Sequence, residues 1–342
     1  MDFIDIVIAL IKIVVMFAVV LVTVAELVYT ERKISAWIQN RIGPNRVGWR
    51  GLLQPYADVI KLVLKEDIVP TAANRFIHTL APIISIGVAF STLAVIPIAG
   101  ETISMFGREI QMVIADVNVG VLYVLALTSM GVYGLTLSGW SSNNKYSLLG
   151  GLRSSAQMIS YELSMGLSVI GVIMITGSLQ LTEIVSHQSG WMWNMVLQPV
   201  GFITFVVAAF AETNRTPFDL PEAEPELVGG YHTEYSSFKF ALFFLAEYAN
   251  MITASAIIVT LYFGGWQVPY LELLALPTGV VVVLQILAFI VKVAFMLFVF
   301  QWVRWTVPRF RYDQLMDLGW KVMLPIALAN VIVTGIVILL IQ

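Results

Sequence analysis

Cysteine is absent from this sequence. That single absence removes disulfides, thiolate-ligated iron–sulfur clusters and a cysteine nucleophile, and it leaves the redox compartment open. Charge is scarce as well: Asp, Glu, Lys and Arg make up 12% of the chain, against roughly 25% in an average soluble domain. The three histidines, His78, His187 and His232, do not make a metal or haem set, because a membrane cytochrome needs histidine pairs inside its spans. No Walker loop, dinucleotide fingerprint or nucleophile elbow is present. Without a redox centre or a catalytic triad, the chain can join redox chemistry only through a cofactor on another subunit.

What fills the sequence is hydrocarbon. Hydrophobic residues make up 58% of it and the mean hydropathy is +0.86. The apolar runs are long and unbroken, unlike the alternating strands of an outer-membrane barrel, so the fold class is an all-α integral membrane protein. Windows of about 20 apolar residues mark about eight transmembrane helices, near 7–29, 77–99, 117–139, 148–176, 192–211, 239–263, 279–303 and 321–341. The first opens on Asp2 and Asp5 with no basic flank or small-residue cleavage site, and reads as a retained helix rather than a signal peptide. With no internal repeat, low-complexity tract or linker, 1–342 reads as one transmembrane domain carrying a cytoplasmic loop over 31–75 and an acidic cytoplasmic loop over 212–238.

Basic residues set the orientation. Loops after the odd-numbered spans hold those from Arg32 to Arg75, then Lys145, Arg153, Arg215, Lys239, Arg304, Arg309, Arg311 and Lys321, whereas the even-numbered loops hold only Arg108. The positive-inside rule puts the odd loops in the cytoplasm and both termini outside. Within the first loop, Leu52, Leu53, Tyr56, Val59, Ile60, Val63 and Leu64 recur at helical spacing opposite Gln54, Asp58, Lys61 and Lys65. That pattern is an amphipathic helix lying on the membrane surface or against a partner.

Carboxylates beside hydrocarbon are costly and need a use. Six of them (Glu212, Asp219, Glu222, Glu224, Glu226 and Glu234) crowd into one proline-punctuated loop. Others lie within spans: Glu26 in the first, Glu162 near the middle of the fourth and Glu247 in the sixth, while Glu212 closes the fifth. Such groups can form a buried path that exchanges protons near neutral pH. The plainer reading makes them structural ion pairs, with Lys292 or Arg153 as partner. Lys12 reads as a snorkelling end charge. The polar face formed by Arg153, Gln157, Ser160, Ser164 and Ser168 reads as interhelical hydrogen bonding.

Several segments, taken together, carry a resemblance. Thr30–Lys33, Arg41–Gly48, Gly51–Asp58, Gly139–Tyr146, Arg153–Glu162, Glu212–Tyr235 and Pro308–Met316 look like the H-type membrane subunits of respiratory complex I, the NADH dehydrogenase subunit 1 family, along essentially the whole chain. The resemblance implies an NADH:quinone oxidoreductase component at the heel of the membrane arm, with quinone as substrate and the iron–sulfur clusters and FMN carried only by partner subunits. It implies that Arg32, Asp58, Glu222, Glu224, Arg304 and Arg309 line or neighbour a quinone tunnel, and that Glu162, Glu212 and Glu247 form a proton path. Implied partners are the peripheral-arm subunits carrying the terminal cluster, the small and antiporter-like membrane subunits, and lipid, with no nucleic acid. The implied location is the inner membrane of a bacterium rather than of a mitochondrion. Some relatives carry a glutamate where this chain has Met130, so a path here would bypass that position, through water at Tyr133. Two other readings stay open: the membrane anchor of a related membrane-bound hydrogenase, and a stand-alone proton or cation transporter.

Because the chain is naturally free of cysteine, topology can be read by labelling. A Gly229→Cys variant is expected to react with an impermeant maleimide only from the cytoplasmic side, and Ser189→Cys only from outside. The reverse pattern would refute the orientation.

Overall fold

The computed structural model describes residues 3–105, 108–190, 192–271 and 276–341. Seven helices are long and apolar enough to cross a membrane. Six of these are α1 (Phe3–Ile38), α3 (Arg75–Leu93), α4 (Gly120–Ser141), α5 (Lys145–Thr176), α10 (Ser237–Tyr262) and α11 (Thr278–Thr306). The last runs from Tyr312 to Ile341 and is built from α12 (Tyr312–Asp317), a π-helical turn (Leu318–Met323) and α13 (Leu324–Ile341). Shorter elements are the amphipathic α2 (Gln54–Leu64), α6 (Leu181–His187), α7 (Asn194–Leu197), α8 (Pro199–Glu212) and α9 (Glu224–Leu227), with a small hairpin pairing Ile103–Met105 and Arg108–Ile110.

The fifth expected span differs from its neighbours. α8 has 14 residues, or about 21 Å at roughly 1.5 Å per residue, short of a hydrocarbon core of about 30 Å. The break falls at Gln198, because Pro199 opens α8 without a backbone donor and the buried Gln198 side chain turns to helix α13 instead. Its amide donates to Thr334 (2.7 Å) and accepts from Asn330 (2.8 Å).

Capping explains other boundaries. Asn74 and Asn144 accept from the backbone amides of Ile77 and Tyr146 at the starts of α3 and α5. Gly177, with φ of 71°, closes α5 in the left-handed conformation.

α10 is the central post: nearly every residue from Met251 to Tyr262 is buried, whereas α1 and α13 turn most of their apolar surface outward, as lipid-facing helices do. Close approach depends on missing side chains. A Cβ at Gly139 would lie 2.4 Å from the Ser147 carbonyl oxygen, and one at Gly150 would lie 2.6 Å from the Tyr231 nitrogen. The second contact seats the acidic loop directly on α5. The far end of that loop is fastened to α2, whose last carbonyls at Leu62 and Lys65 accept from the Ser237 hydroxyl at 3.1 and 2.7 Å. The amphipathic pattern is borne out in α2: Asp58 turns inward to Arg32 (2.6 Å), while Val59, Ile60, Val63 and Leu64 are exposed.

Gly139→Ala is expected to destabilise the folded protein by about 1–3 kcal/mol through overpacking against backbone. Gly166, with open space around it, is expected to accept Ala without loss. The amount of folded protein in detergent-solubilised membranes, followed by thermal aggregation, checks the contrast.

Candidate functional site

α3, α4, α5, α8 and α10 enclose an elongated cavity of about 1040 Å³. Glu212, Glu222 and Glu247 line it, with Asn214, Tyr231 and Asn250. A smaller pocket between α4, α5 and α8 is lined by Thr128, Ser129, Glu162 and Glu212. Thr128 and Glu212 belong to both linings. The three proton-path carboxylates inferred from the sequence thus stand in series, Glu162 then Glu212 then Glu247. Ser129 donates to Glu162. Tyr133 lines neither cavity and is 63% exposed, so the route around Met130 runs along Thr128 and Ser129 instead.

One cation organises the rest. Arg215, just beyond α8, is 2% exposed; its Nε lies 2.8 Å from Glu247 and its Nη1 3.4 Å from Glu31. Its guanidinium covers the Tyr248 ring at 4.3 Å, and the Tyr248 hydroxyl donates to Glu31 at 2.8 Å. The other oxygen of Glu31 takes Arg304 at 2.5 Å. Four ionisable groups from α1, α10, α11 and the acidic loop therefore alternate in sign, which is the arrangement that makes buried charge tolerable.

Glu31 is the residue that sequence reading missed. It sits in a run of charges at the end of the first span, where Glu26 drew the attention instead; Glu26 is only half-buried and lines neither cavity. A signal was present in Gln301, which is buried in an otherwise apolar helix and donates to the Leu27 carbonyl at 3.0 Å, pinning α11 against α1 beside Glu31.

The six expected tunnel residues divide. Glu222 joins the cavity, where it accepts from the Tyr231 hydroxyl at 3.1 Å. Burial first, and then the Glu247 and Asp219 carboxylates, hold its carboxyl well above the usual range. Arg304 meets Glu31, Arg32 meets Asp58, and Arg309 meets Asp219 at 2.6 Å. The Glu224 side chain lies outside the described residues. His232 is 3.7 Å from Glu222, but burial pushes its imidazole down to about 4, so it is neutral at pH 7 and is no counter-ion there.

The structural-pair reading of Lys292 and Arg153 is corrected by their actual contacts. Lys292 donates to the carbonyls of Phe263, Gly265 and Gln267 beyond the end of α10, too far along that helix to neutralise Glu247. Arg153 meets Glu226 of the loop at 2.5 Å. Lys12 donates to the Val113 carbonyl at 2.9 Å rather than snorkelling freely. The polar face of α5 is structural: Gln157 reaches the carbonyls of Ala211 and Phe218, both at 2.8 Å, and Ser160 accepts from Trp320.

The sequence profile described as NADH dehydrogenase matches residues 11–335. The chain belongs to the NADH dehydrogenase family. Among relatives of this family member, the NADH-quinone oxidoreductase subunit 8 of Rhodothermus marinus is 58% identical over 326 residues, covering 92% of this chain and 93% of that protein. The NADH-quinone oxidoreductase H subunit of Salinibacter ruber is 56% identical, covering 92% of each chain. The first of two numbered H subunits, from Geobacter sulfurreducens, is 55% identical over 338 residues, covering 96% of this chain and 94% of that protein. Among the described residues of this NADH dehydrogenase family chain, no group of His, Asp and Glu could hold a metal ion.

Removing Arg215 strands two buried carboxylates, which typically costs about 3–5 kcal/mol. Arg215→Met is expected to lower the thermal stability of the solubilised protein by that order, and Arg215→Met with Glu247→Met to recover part of the loss. Equal melting of the single and double variants would show that the pair is not coupled.

Proposed function

We propose that this chain is the H-type membrane subunit of a bacterial, proton-translocating NADH:quinone oxidoreductase, and that it couples quinone chemistry to proton movement through Arg215. The reading takes its enzyme from the names of the relatives. Its mechanism rests on one observation: a single buried guanidinium touches both the carboxylate cavity, at Glu247, and the Arg304–Glu31 pair on the α1 and α11 side.

In this reading the quinone headgroup approaches the side bearing Arg32, Asp58, Arg304 and Arg309. It takes electrons from an iron–sulfur cluster on a peripheral-arm subunit, FMN being carried there too, since this chain has no thiolate to hold a cluster. Reduction places negative charge in a low-dielectric chamber. Arginines near the headgroup shift toward that charge, Arg304 loosens from Glu31, and Arg215 moves its balance from Glu247 to Glu31. Glu247 and Glu222, then less well neutralised, take up protons. Glu212 and Glu162 pass the change laterally to the small and antiporter-like membrane subunits. Both termini lie outside the inner membrane, and the 31–75 and 212–238 loops face the peripheral arm.

Assembled complex in vesicles tests this. Glu222→Gln is expected to lower NADH–quinone activity by about tenfold or more, the scale of one well-placed group, while NADH–ferricyanide activity stays unchanged. Glu247→Gln is expected to lower quinone reduction and proton pumping together. Full activity with an unchanged proton-to-electron ratio in Glu247→Gln would remove the coupling role.

A further inference from the structure

The cavity does not end at its carboxylates. From Glu222 and Tyr231 at the loop end it continues along α10 to Ile257 and Leu261, and along α4 to Val124 and Val121, at the opposite end of the bundle. A carboxylate-lined void that spans the bundle would be a proton leak if water filled it throughout. The lining prevents this by changing character: beyond Thr128 and Thr253 it is made of Val121, Val124, Val169, Leu181, Phe205 and Leu261, all buried and none able to hydrogen-bond water. Apolar cavities of this kind stay dry because a buried water needs polar partners.

The far end is also closed by a fastened lid. α6 brings Leu181 over Gly120, where a Cβ would touch the Leu181 side chain at 3.4 Å. The carbonyls of the last turn of α10, which would otherwise attract water, are already occupied. Thr260 accepts from Gln188 (3.0 Å), Leu261 from Asn194 (2.8 Å), and just beyond them Phe263 accepts from Lys292 (2.9 Å). On the outer surface, Asp116 grips the start of α6, accepting from Gln180 and Thr182, both at 2.7 Å. These bonds do not touch the carboxylates; what they have in common is the position of the 180–194 segment.

We propose that α6, packed on Val121, Val124, Val169 and Leu261, is a proton seal that denies the carboxylate cavity any access to the far side of the membrane and leaves the acidic loop and the Glu162 pocket as its only outlets. The inference rests on the proposed function in taking those carboxylates to exchange protons. The seal itself can be tested with no turnover.

Vesicles containing the assembled complex, given a pH gradient without NADH or quinone, report the leak directly. Val124→Asp and Leu181→Ser are expected to collapse the gradient severalfold faster than the parent, and adding Glu212→Gln to either is expected to slow the collapse again. If those variants fail to assemble, Asp116→Asn, at the exposed grip on α6, is expected to give a smaller increase in leak with NADH–ferricyanide activity intact. An unchanged leak in assembled Val124→Asp or Leu181→Ser, or in Asp116→Asn where neither assembles, overturns the seal. A raised leak that Glu212→Gln does not slow also overturns it, because the protons would then be passing by another route. Loss of quinone reduction in a Glu222 or Glu247 variant bears on the proposed function, while the passive leak bears on the seal alone.

Discussion

A guanidinium buried almost completely in a membrane protein is stable only if its charge is answered at once, and the arrangement of this chain follows from how Arg215 is answered. Glu247 comes from the central helix, Glu31 from the first and Arg304 from the seventh expected span. No two of these are close in sequence, so the pairs can form only after those helices have packed. The proline-bounded loop that carries Arg215 is held to the same place by Gln157 from α5 and by the close contact of Gly150 with Tyr231. Removing one member would leave a buried charge unanswered, whereas exchanging the strength of one pair for another costs far less. A network of that kind is both rigid in composition and adjustable in balance.

That property separates two tasks. Apolar packing along α10 fixes the distances between helices and needs no charge, as the run from Met251 to Tyr262 shows. The ionisable groups occupy the loop end and the wall shared with the Glu162 pocket. A shift of Arg215 between its two carboxylates therefore changes electrostatics without repacking the core. Side chains such as Tyr248, which touches both Arg215 and Glu31, keep the geometry while the balance moves.

Much of this was legible in the sequence, for physical reasons. Hydrocarbon length has one meaning in a bilayer, so the long spans, the amphipathic α2 and the isolated carboxylates Glu162, Glu212 and Glu247 stood out against apolar neighbours. The shortening of α8 was obscured because hydropathy does not register a break at Gln198, whose partners Asn330 and Thr334 lie more than a hundred residues away. Glu31 was hidden by its neighbours: at the end of a span, a carboxylate followed by Arg32 and Lys33 looks like solvated surface. Lys292 misled in the opposite way, since a lone lysine inside a span invites pairing with a carboxylate, and three carbonyls serve it equally well. Composition shows which residues need partners; the fold decides who the partners are.

The short eighth helix carries one more consequence. Because α8 ends at Glu212 instead of running a full membrane thickness, its C-terminus stops inside the bundle, and a helix C-terminus presents roughly half a negative charge from its aligned peptide dipoles. Arg215 follows within a few residues, its own backbone amide donating to the Phe210 carbonyl at 3.3 Å. The peptide groups of α8 thus act as a fixed partner that holds no proton and cannot be lost by titration. While the side-chain carboxylates around Arg215 change their claims on it, that dipole holds the cation in the membrane.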